Sequence, residues 1–332
     1  NKPDECNTCW VKEDKGGSSR RLFSNRIFSD YDVDRATIDT QPDGSISNQP
    51  IYWDIRFGNL CNLKCVMCGP QSSSMWYKDW ASVYNTDHFT DSGNVIHFDD
   101  KDTLDKTYNW WQSPKFWKTL QENISSIRHI YLVGGEPTII EQHYSFLQML
   151  VDNGCSKNIT LEYDTNLTNV HDKAIDLWSN FDKLYLRLSV DDYGEQNNYI
   201  RFPSKWSKIS ENIDKLKVAI PDLRLEVSLT WQVLNCFTFI SLLDYFKNDK
   251  VSVRICSNPE FFDPAWLPKE AKQKLLEVYD DNVPIHLTNY IQDNIDNYDE
   301  ELHKQFLKFV DKLDHVRNTN WHTTFKQLDK YL

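Results

Sequence analysis

Residues 51–68, IYWDIRFGNLCNLKCVMC, place a run of strand-forming residues directly before a loop that contains three cysteines. The first seven residues are mainly apolar and aromatic, which predicts a β-strand over 51–57. The loop spaces Cys61, Cys65 and Cys68 with three and then two intervening residues. Folds of the α/β class bind their ligands in the loops at the carboxyl ends of the strands. The segment therefore predicts an α/β fold with a metal site after its first strand.

Short apolar runs alternate with amphipathic stretches from residue 51 onward. Six runs predict strands, at 51–57, 127–133, 159–164, 183–190, 223–234 and 251–256. Helical periodicity between them predicts helices, at 144–151, 172–179, 206–218 and 237–246. Successive strand–helix units imply a parallel sheet with right-handed crossovers. Six units in about 210 residues fall short of the roughly 250 residues of a closed eight-unit barrel, so we expect a partial (β/α)6 TIM-like barrel.

The chain divides into three regions on composition and periodicity. Residues 1–45 form a polar, cysteine-bearing N-terminal segment, residues 46–260 the barrel, and residues 261–332 a helical C-terminal extension. Between the first two strands, residues 84–106 are rich in Asp, Asn and His, which predicts an inserted surface loop. Residues 112–123 have helical periodicity.

Composition excludes several classes of protein. Hydrophobic residues make up 40% of the chain and charged residues 26%, so the chain can form a core and is not disordered. With 37 basic and 49 acidic residues, the net charge is −12, which repels phosphate backbones and argues against a broad nucleic-acid groove. No stretch approaches about 18 uninterrupted apolar residues, so we expect no membrane span and no membrane partner.

The eight cysteines are unevenly distributed. Two lie close together near the N-terminus, three lie in the loop after the first strand, and Cys155, Cys236 and Cys256 are isolated. A secreted disulfide scaffold would spread its cysteines more evenly. The tight spacing instead indicates metal binding in a cytoplasmic protein, with the isolated cysteines expected as buried thiols.

An iron–sulfur cluster is the metal centre that the loop spacing favours. Three thiolates from one loop can hold three irons of a [4Fe–4S] cube and leave the fourth without a protein ligand. That iron can take a small bidentate ligand, such as the amino and carboxylate groups of an amino acid. The alternatives are a zinc site, which usually has two cysteine or histidine pairs, and cysteines buried in the core. Because no matching second pair follows closely, we predict Cys61, Cys65 and Cys68 as cluster ligands.

The cysteine loop after the first strand resembles that of the radical S-adenosylmethionine (radical SAM) superfamily. Gly134-Gly135-Glu136-Pro137, at the end of the second predicted strand, resembles the GGEP motif of that superfamily, which contacts the methionyl amino group of SAM. The resemblance implies that Gly134, Gly135 and Glu136 bind the cofactor. Without the resemblance, a glycine pair at a strand end indicates either that the backbone lies close to a ligand or that the chain makes a tight βα turn.

Two further strand ends resemble the same superfamily. Asp164-Thr165-Asn166 resembles its TN element, and Ser189-Val190-Asp191 ends the fourth predicted strand. In related enzymes a serine at this strand end and an arginine some ten residues later bind the carboxylate or ribose of SAM, which Ser189 and Arg201 match. The resemblance thus implies Asn166, Ser189, Asp191 and Arg201 as cofactor contacts. An arginine can pair bidentately with a carboxylate, although a surface ion pair is the alternative for Arg201.

Two apolar residues complete the predicted cofactor site. Met67 occupies the position before the third cysteine, where the superfamily usually has an aromatic residue. Its polarizable thioether can still cover a purine face. Leu234, at the end of the fifth predicted strand, either packs on the adenine or belongs to the core.

A second cysteine pair lies near the N-terminus. Cys6-Asn7-Thr8-Cys9-Trp10, with Glu13, Gly16-Gly17, Ser18 and Arg20 after it, resembles the segment before the barrel in radical SAM proteins with a SPASM or twitch-type auxiliary-cluster domain. The resemblance implies that Cys6 and Cys9 bind an auxiliary iron–sulfur cluster. Two thiolates cannot hold a [4Fe–4S] cube alone, so we expect a truncated segment whose other ligands lie upstream. Ligation by the isolated cysteines, a zinc half-site or two free thiols are the alternatives.

The resemblance implies a function as well as a fold. A reduced [4Fe–4S] cluster donates one electron to bound SAM, giving methionine and a 5′-deoxyadenosyl radical that abstracts hydrogen from a substrate. The auxiliary-cluster relatives often act on peptides or proteins and less often on small molecules. A flavodoxin or ferredoxin would supply the electron. An iron–sulfur electron-transfer protein and a catalytically inactive barrel that binds a partner are the alternatives, and no individual catalytic residue on the substrate side is predicted.

Overall fold

The computed structural model describes residues 6–14, 19–28, 38–46 and 49–332. The chain forms two compact units, Asn1–Pro50 and Ile51–Leu332. Gly16, Gly17 and Ser18 of the N-terminal motif lie outside the described residues.

The first unit contains two short helices, α1 (Asn7–Asp14) and α2 (Arg20–Ile27). Ser19 caps α2, because its hydroxyl oxygen accepts a hydrogen bond from the Leu22 backbone N–H at 3.1 Å. The Arg21 guanidinium forms an ion pair with Glu13 and lies 4.3 Å from the centre of the Trp10 ring. Side-chain contacts of α2 with α1 therefore hold this helix pair together.

The second unit is built on a sheet of six parallel strands. In chain order all strands of the unit are β1 (Tyr52–Arg56), β2 (His88–Asp91), β3 (Asn94–His97), β4 (His129–Val133), β5 (Thr160–Thr165), β6 (Lys183–Ser189), β7 (Arg224–Trp231) and β8 (Lys250–Ile255). The large sheet runs β1-β4-β5-β6-β7-β8, and among the described residues β1 and β8 are its two edges. The prediction of an α/β fold with six parallel strands in chain order, compatible with a partial barrel, is confirmed.

Helices separate most consecutive strands of the unit and continue beyond β8. They are α3 (Trp76–Tyr84), α4 (Lys101–Tyr108), α5 (Pro114–Glu122), α6 (Glu141–Asp152), α7 (Asp172–Trp178), α8 (Gly194–Ile200), α9 (Trp206–Ala219), α10 (Ile240–Tyr245), α11 (Lys269–Val278), α12 (Ile285–Asp293), α13 (Glu300–Arg317) and α14 (Trp321–Thr324). In the described ranges, no helix has the length and apolar content needed to cross a membrane.

The core explains why the strands form where they do. In β4, Ile130, Tyr131 and Leu132 are consecutive and all buried, as expected for a strand covered on both faces. In β6, Leu184, Leu186 and Leu188 are buried, with less buried residues between them. Burial on both faces of β4 shows that this part of the sheet is covered on either side.

One predicted strand is too long. The prediction extends to Leu234, but β7 ends at Trp231. The cause is Asn235, whose side-chain amide donates to the backbone oxygens of Asp191 and Thr230 and accepts from the N–H of Gln232. These bonds satisfy backbone groups that a longer strand would have paired.

The prediction of a surface loop over residues 84–106 is wrong. The segment forms the hairpin β2–β3 and the beginning of α4. Ser92 and Gly93 make the two-residue turn with φ values of +50° and +82°, which matches the twist of a hairpin. Phe89 and Ile96 are both buried, and they pack with Tyr108 in a small second core. These few inward-facing residues stabilise the hairpin despite the polar composition of the segment.

The C-terminal helices belong to the same compact unit as the sheet. In α13, Phe306, Phe309, Val310 and Leu313 are buried at helical spacing, and this face packs against α3. Helix α13 thereby reaches the segment that directly follows the cysteine loop.

Candidate cofactor site

A cavity of about 300 Å³ lies at the carboxyl ends of β1, β4, β5, β6 and β7. It brings together ten of the predicted site residues: Cys61, Cys65, Met67, Cys68, Gly134, Gly135, Glu136, Asn166, Ser189 and Arg201. Leu63, Ser72, Ser73, Val133, Asp164, Thr165 and Thr230 complete its lining. The residues come from four separate predicted motifs, and they converge because the strands of a parallel sheet end at one edge.

The cysteine loop is fixed by backbone hydrogen bonds to the last residue of α8 and to the segment that follows it. The N–H of Lys64 donates to the carbonyl oxygen of Phe202 at 2.7 Å, and that of Val66 donates to Ile200 at 2.8 Å. Cys65 is buried, while Cys61 and Cys68 are partly exposed. The loop thus presents its three thiols to the cavity from a rigid backbone.

The three thiols ionise differently. A hydrogen bond with Cys68 and the nearby Arg201 guanidinium lower the pKa of Cys65, against the opposing effect of burial. Burial raises the pKa of Cys61 to about 12. The pKa of Cys68 is also raised, by its hydrogen bond with Cys65 and by burial. A metal that binds all three as thiolates must therefore supply positive charge of its own.

The donor set fits a [4Fe–4S] cube. A structural zinc site takes four protein ligands, whereas the described lining contains three cysteines and no histidine. Most of the acceptor capacity of the two carboxylates in the lining is already used, because Glu136 accepts four hydrogen bonds from protein groups and Asp164 accepts from Tyr131 and Arg187. Three thiols that face a cavity match a cube whose fourth iron is open to a small molecule.

Gly134 and Gly135 are required by a backbone contact. Their φ values are +86° and +52°, in the left-handed region that favours glycine. A Cβ atom on Gly135 would lie 2.0 Å from the carbonyl oxygen of Leu60, and one on Gly134 would lie 2.9 Å from the backbone N of Phe57. The glycine pair therefore lets the backbone after β4 pass close to the backbone of residues 57–60, which follow β1.

Glu136 links the ends of two strands. Its side chain is buried, and Oε1 accepts hydrogen bonds from the N–H and hydroxyl of Thr138 and from the hydroxyl of Thr165. Oε2 accepts one, from the Asn166 backbone N–H at 2.8 Å. Burial raises the pKa of Glu136, and these hydrogen bonds oppose the effect. Oε2 retains the capacity to accept a further donor from the cavity.

Asn166 connects the end of β5 to the cysteine loop. Its amide group donates to Asn62 Oδ1 at 3.0 Å, and the Asn62 amide donates to Thr168 at 2.8 Å. Asn62 was not among the predicted site residues. Its position inside the three-cysteine motif was the only signal that could have identified it.

Arg201 forms a buried ion pair, and the surface-pair alternative is wrong. Its Nε lies 2.7 Å from Asp191 Oδ2, and its Nη2 donates to Asp191 Oδ1 at 3.1 Å. The Asp191 side chain is fully buried and also accepts from the Thr230 N–H. Arg201 Nη1 lies 3.8 Å from Cys65 Sγ. The guanidinium therefore lines the cavity between a carboxylate and a predicted cluster ligand, and Asp191 acts through it.

A second buried cation reaches the cysteine loop from the C-terminal helix. Arg317 Nε donates to Asp79 Oδ2 at 2.8 Å, and Lys64 Nζ donates to Asp79 Oδ1 at 2.6 Å. The Arg317 guanidinium also lies 4.6 Å from the ring centre of Trp76, whose Nε1–H donates to the Cys65 carbonyl oxygen. Nothing in the sequence pairs residues 79 and 317, so this network was not predicted.

The remaining predicted residues lie elsewhere. Leu234 is fully buried in the core, as its alternative interpretation allowed. Cys236 and Cys256 are buried and Cys155 is partly exposed. In the first unit, Cys6 is exposed and Cys9 is partly buried, and neither forms a disulfide bond.

The chain resembles several solved structures, although no protein-family model and no curated protein matches it. Native anSMEcpe with bound AdoMet is 16% identical, with a TM-score of 0.46 over 69% of this chain and 58% of that chain. Streptococcus suis SuiB is 14% identical, with a TM-score of 0.45 over 87% of this chain and 59% of that one. The chain thus spans about three fifths of the length of these two structures. Because both TM-scores lie below 0.5, the assignment of function rests on the site residues.

Proposed function

We propose that the protein is a radical SAM enzyme, with Cys61, Cys65 and Cys68 holding a [4Fe–4S] cluster and the adjoining cavity binding SAM. The observation that supports this most is the convergence of the three thiols with Gly134–Glu136, Asn166, Ser189 and Arg201 on one cavity. These residues are distant in the sequence, and each was predicted from its own motif.

When bound, the cluster and SAM would supply the difficult chemistry, which is one-electron reductive cleavage of a C–S bond of SAM followed by hydrogen abstraction from the substrate. The residues of the protein would bind SAM and orient it. Arg201 and Ser189 would hold the SAM carboxylate or ribose, and Glu136 Oε2 would accept a hydrogen bond from its amino group. Asn166 Oδ1 already accepts from the N–H and hydroxyl of Thr168, so Asn166 would contact the cofactor through its remaining amide hydrogen. Met67 lines the cavity and can cover the purine ring of SAM. Leu234 is buried in the core and does not line this cavity.

Anaerobic incubation of the full chain with SAM and dithionite tests this function. We expect release of 5′-deoxyadenosine and methionine in equal amounts. An electron-transfer protein would show no SAM binding by calorimetry, and an inactive barrel would bind SAM without cleaving it. Either result would replace the proposal.

Replacing Arg201 with lysine should weaken SAM binding. The substitution keeps a positive charge beside buried Asp191 but removes the guanidinium N–H groups that Asp191 does not use and that could bind SAM. Losing one charge-assisted hydrogen bond costs about 1.5–3 kcal/mol, which raises the SAM dissociation constant roughly 10- to 150-fold. Isothermal titration calorimetry measures this change.

The control is Arg224→Lys, in β7, where the arginine makes an exposed hydrogen bond to Tyr185. It should leave SAM binding unchanged. Denaturant unfolding of both variants checks that Arg201→Lys remains folded. A folded Arg201→Lys protein with the original SAM affinity would show that Arg201 does not serve SAM.

The proposed substrate class and reductant rest on the sequence resemblance, and the proposed location rests on the spacing of the cysteines. We infer a peptide or protein substrate and a flavodoxin or ferredoxin as electron donor, in the cytoplasm. A deuterated candidate peptide tests the first inference, because hydrogen abstraction from that peptide would transfer deuterium into 5′-deoxyadenosine.

Cys6 and Cys9 do not fit a complete auxiliary cluster. They supply two thiols, and a cube needs about four ligands. We expect this chain to bind about four irons per protein after reconstitution, with or without Cys6→Ser and Cys9→Ser. Iron and sulfide analysis measures this content. A value near eight that falls to near four in the double variant would show that the pair completes a second cluster.

A further inference from the structure

We infer that Asp87, His88 and His97, at the open end of the β2–β3 hairpin, form a second metal site that binds a divalent cation of the zinc class. In the part of the chain that the structure describes, these residues are the one group of three or more His, Cys, Asp or Glu side chains whose ligand atoms all lie within 4.8 Å of one another. They contain no cysteine, so this site is chemically distinct from the cysteine loop.

The hairpin register brings the two histidines together. His88 begins β2 and His97 ends β3, and the two are directly opposite in the antiparallel pairing. Their ring centres are 5.3 Å apart. Directly opposed residues on one face of a hairpin have adjacent side chains, so the pairing sets this arrangement before any metal binds.

Asp87 bridges the two rings. His88 Nδ1 lies 2.9 Å from Asp87 Oδ1, and His97 Nδ1 lies 3.4 Å from Asp87 Oδ2. All three candidate ligand atoms lie within 4.8 Å of one another. Zinc takes nitrogen and oxygen ligands at about 2.0–2.1 Å, which places tetrahedral ligands roughly 3.3 Å apart. The two nitrogen–oxygen separations, one to each carboxylate oxygen of Asp87, are close to that value, and the three ligand atoms must move together by about 1.5 Å at most to surround one ion.

The chemistry of the group favours a transition metal over calcium or magnesium. Two imidazoles and one carboxylate suit zinc and its neighbours, whereas calcium and magnesium take oxygen ligands. The surrounding segment, residues 84–106, has six aspartates and two lysines, so the local charge attracts cations. All three side chains are substantially exposed, which leaves room for water as the remaining ligand.

Metal binding would join the first residue of β2 to the last residue of β3. The opposite end of the hairpin is closed by the Ser92–Gly93 turn. A metal here would therefore hold together the open end of the hairpin, which is otherwise stabilised by a small core.

Titration of the Cys6→Ser/Cys9→Ser variant of the full chain with zinc chloride, after reconstitution with iron and sulfide, tests the site, because the thiols of Cys6 and Cys9 would otherwise compete for zinc. We expect one zinc whose X-ray absorption spectrum shows nitrogen and oxygen at about 2.0–2.1 Å and no sulfur at about 2.3 Å. His88→Gln and His97→Gln should each weaken this binding at least about tenfold, since even indirect partners of a metal contribute that much. The double variant should lose the site.

His286→Gln, at an exposed position in α12, is the matched control and should bind zinc as the Cys6→Ser/Cys9→Ser variant does. Equal zinc affinity and content with and without the His88/His97 double substitution would overturn the inference. Bound zinc coordinated by sulfur alone would also overturn it, because that zinc would lie at cysteines.

Discussion

Replacing Cys61, Cys65 and Cys68 together with alanine is expected to remove the cluster and abolish SAM cleavage. The three thiols are the only cysteines that line the cavity in the described structure, so nothing in it can substitute for them. About four irons per protein should be lost, together with the brown colour. Iron analysis, visible absorption and assay of 5′-deoxyadenosine measure the three consequences.

The matched control is Cys155→Ala, outside the cavity and partly exposed. It should retain both iron and SAM cleavage. Far-ultraviolet circular dichroism establishes whether the triple variant keeps its fold, because the backbone hydrogen bonds of Lys64 and Val66 do not depend on the thiols. Full SAM cleavage by a folded triple variant would refute the cluster assignment.

The part of the site that could be predicted from the sequence consists of short local motifs. Cys61–Cys68, Gly134–Glu136 and Asn166 each follow a strand directly, and a parallel sheet collects such positions at one edge. Once the parallel sheet is predicted, its topology alone brings these residues together at one edge. This is why predicted residues from four motifs line a single cavity.

Which side chains pair with one another within the site could not be predicted. The sequence does not show that Arg201 pairs with Asp191, or that Glu136 accepts hydrogen bonds from the end of β5. Such contacts depend on side-chain positions fixed only by the packed fold. The hairpin β2–β3 was missed for a different reason, because only Phe89 and Ile96 carry its alternation within a polar segment.

The network of Asp79 is the clearest case of a determinant that only the fold reveals. Its carboxylate lies between Lys64, in the cysteine loop, and Arg317, at the end of α13. The side chains of Asp79 and Arg317 are 4% and 2% exposed, so neither charge is screened by water. The contact joins residues 238 positions apart in the chain.

Asp79→Ala is therefore expected to destabilise the protein strongly. The substitution leaves the Arg317 guanidinium buried without its carboxylate and removes the anchor of Lys64. Breaking a buried pair by removing one partner costs about 3–5 kcal/mol, because the remaining charge is uncompensated. Denaturant unfolding of the iron-free chain measures the loss without a contribution from the cluster.

Glu226→Ala is the matched control, since Glu226 pairs with the largely exposed Lys250 at 2.8 Å. An exposed pair of this kind contributes at most about 1 kcal/mol, so the two variants should differ clearly. Since Asp79 anchors Lys64, Asp79→Ala should also retain less iron than Glu226→Ala after reconstitution. Equal unfolding free energies for the two variants would show that the C-terminal helix does not stabilise the cysteine loop through Asp79.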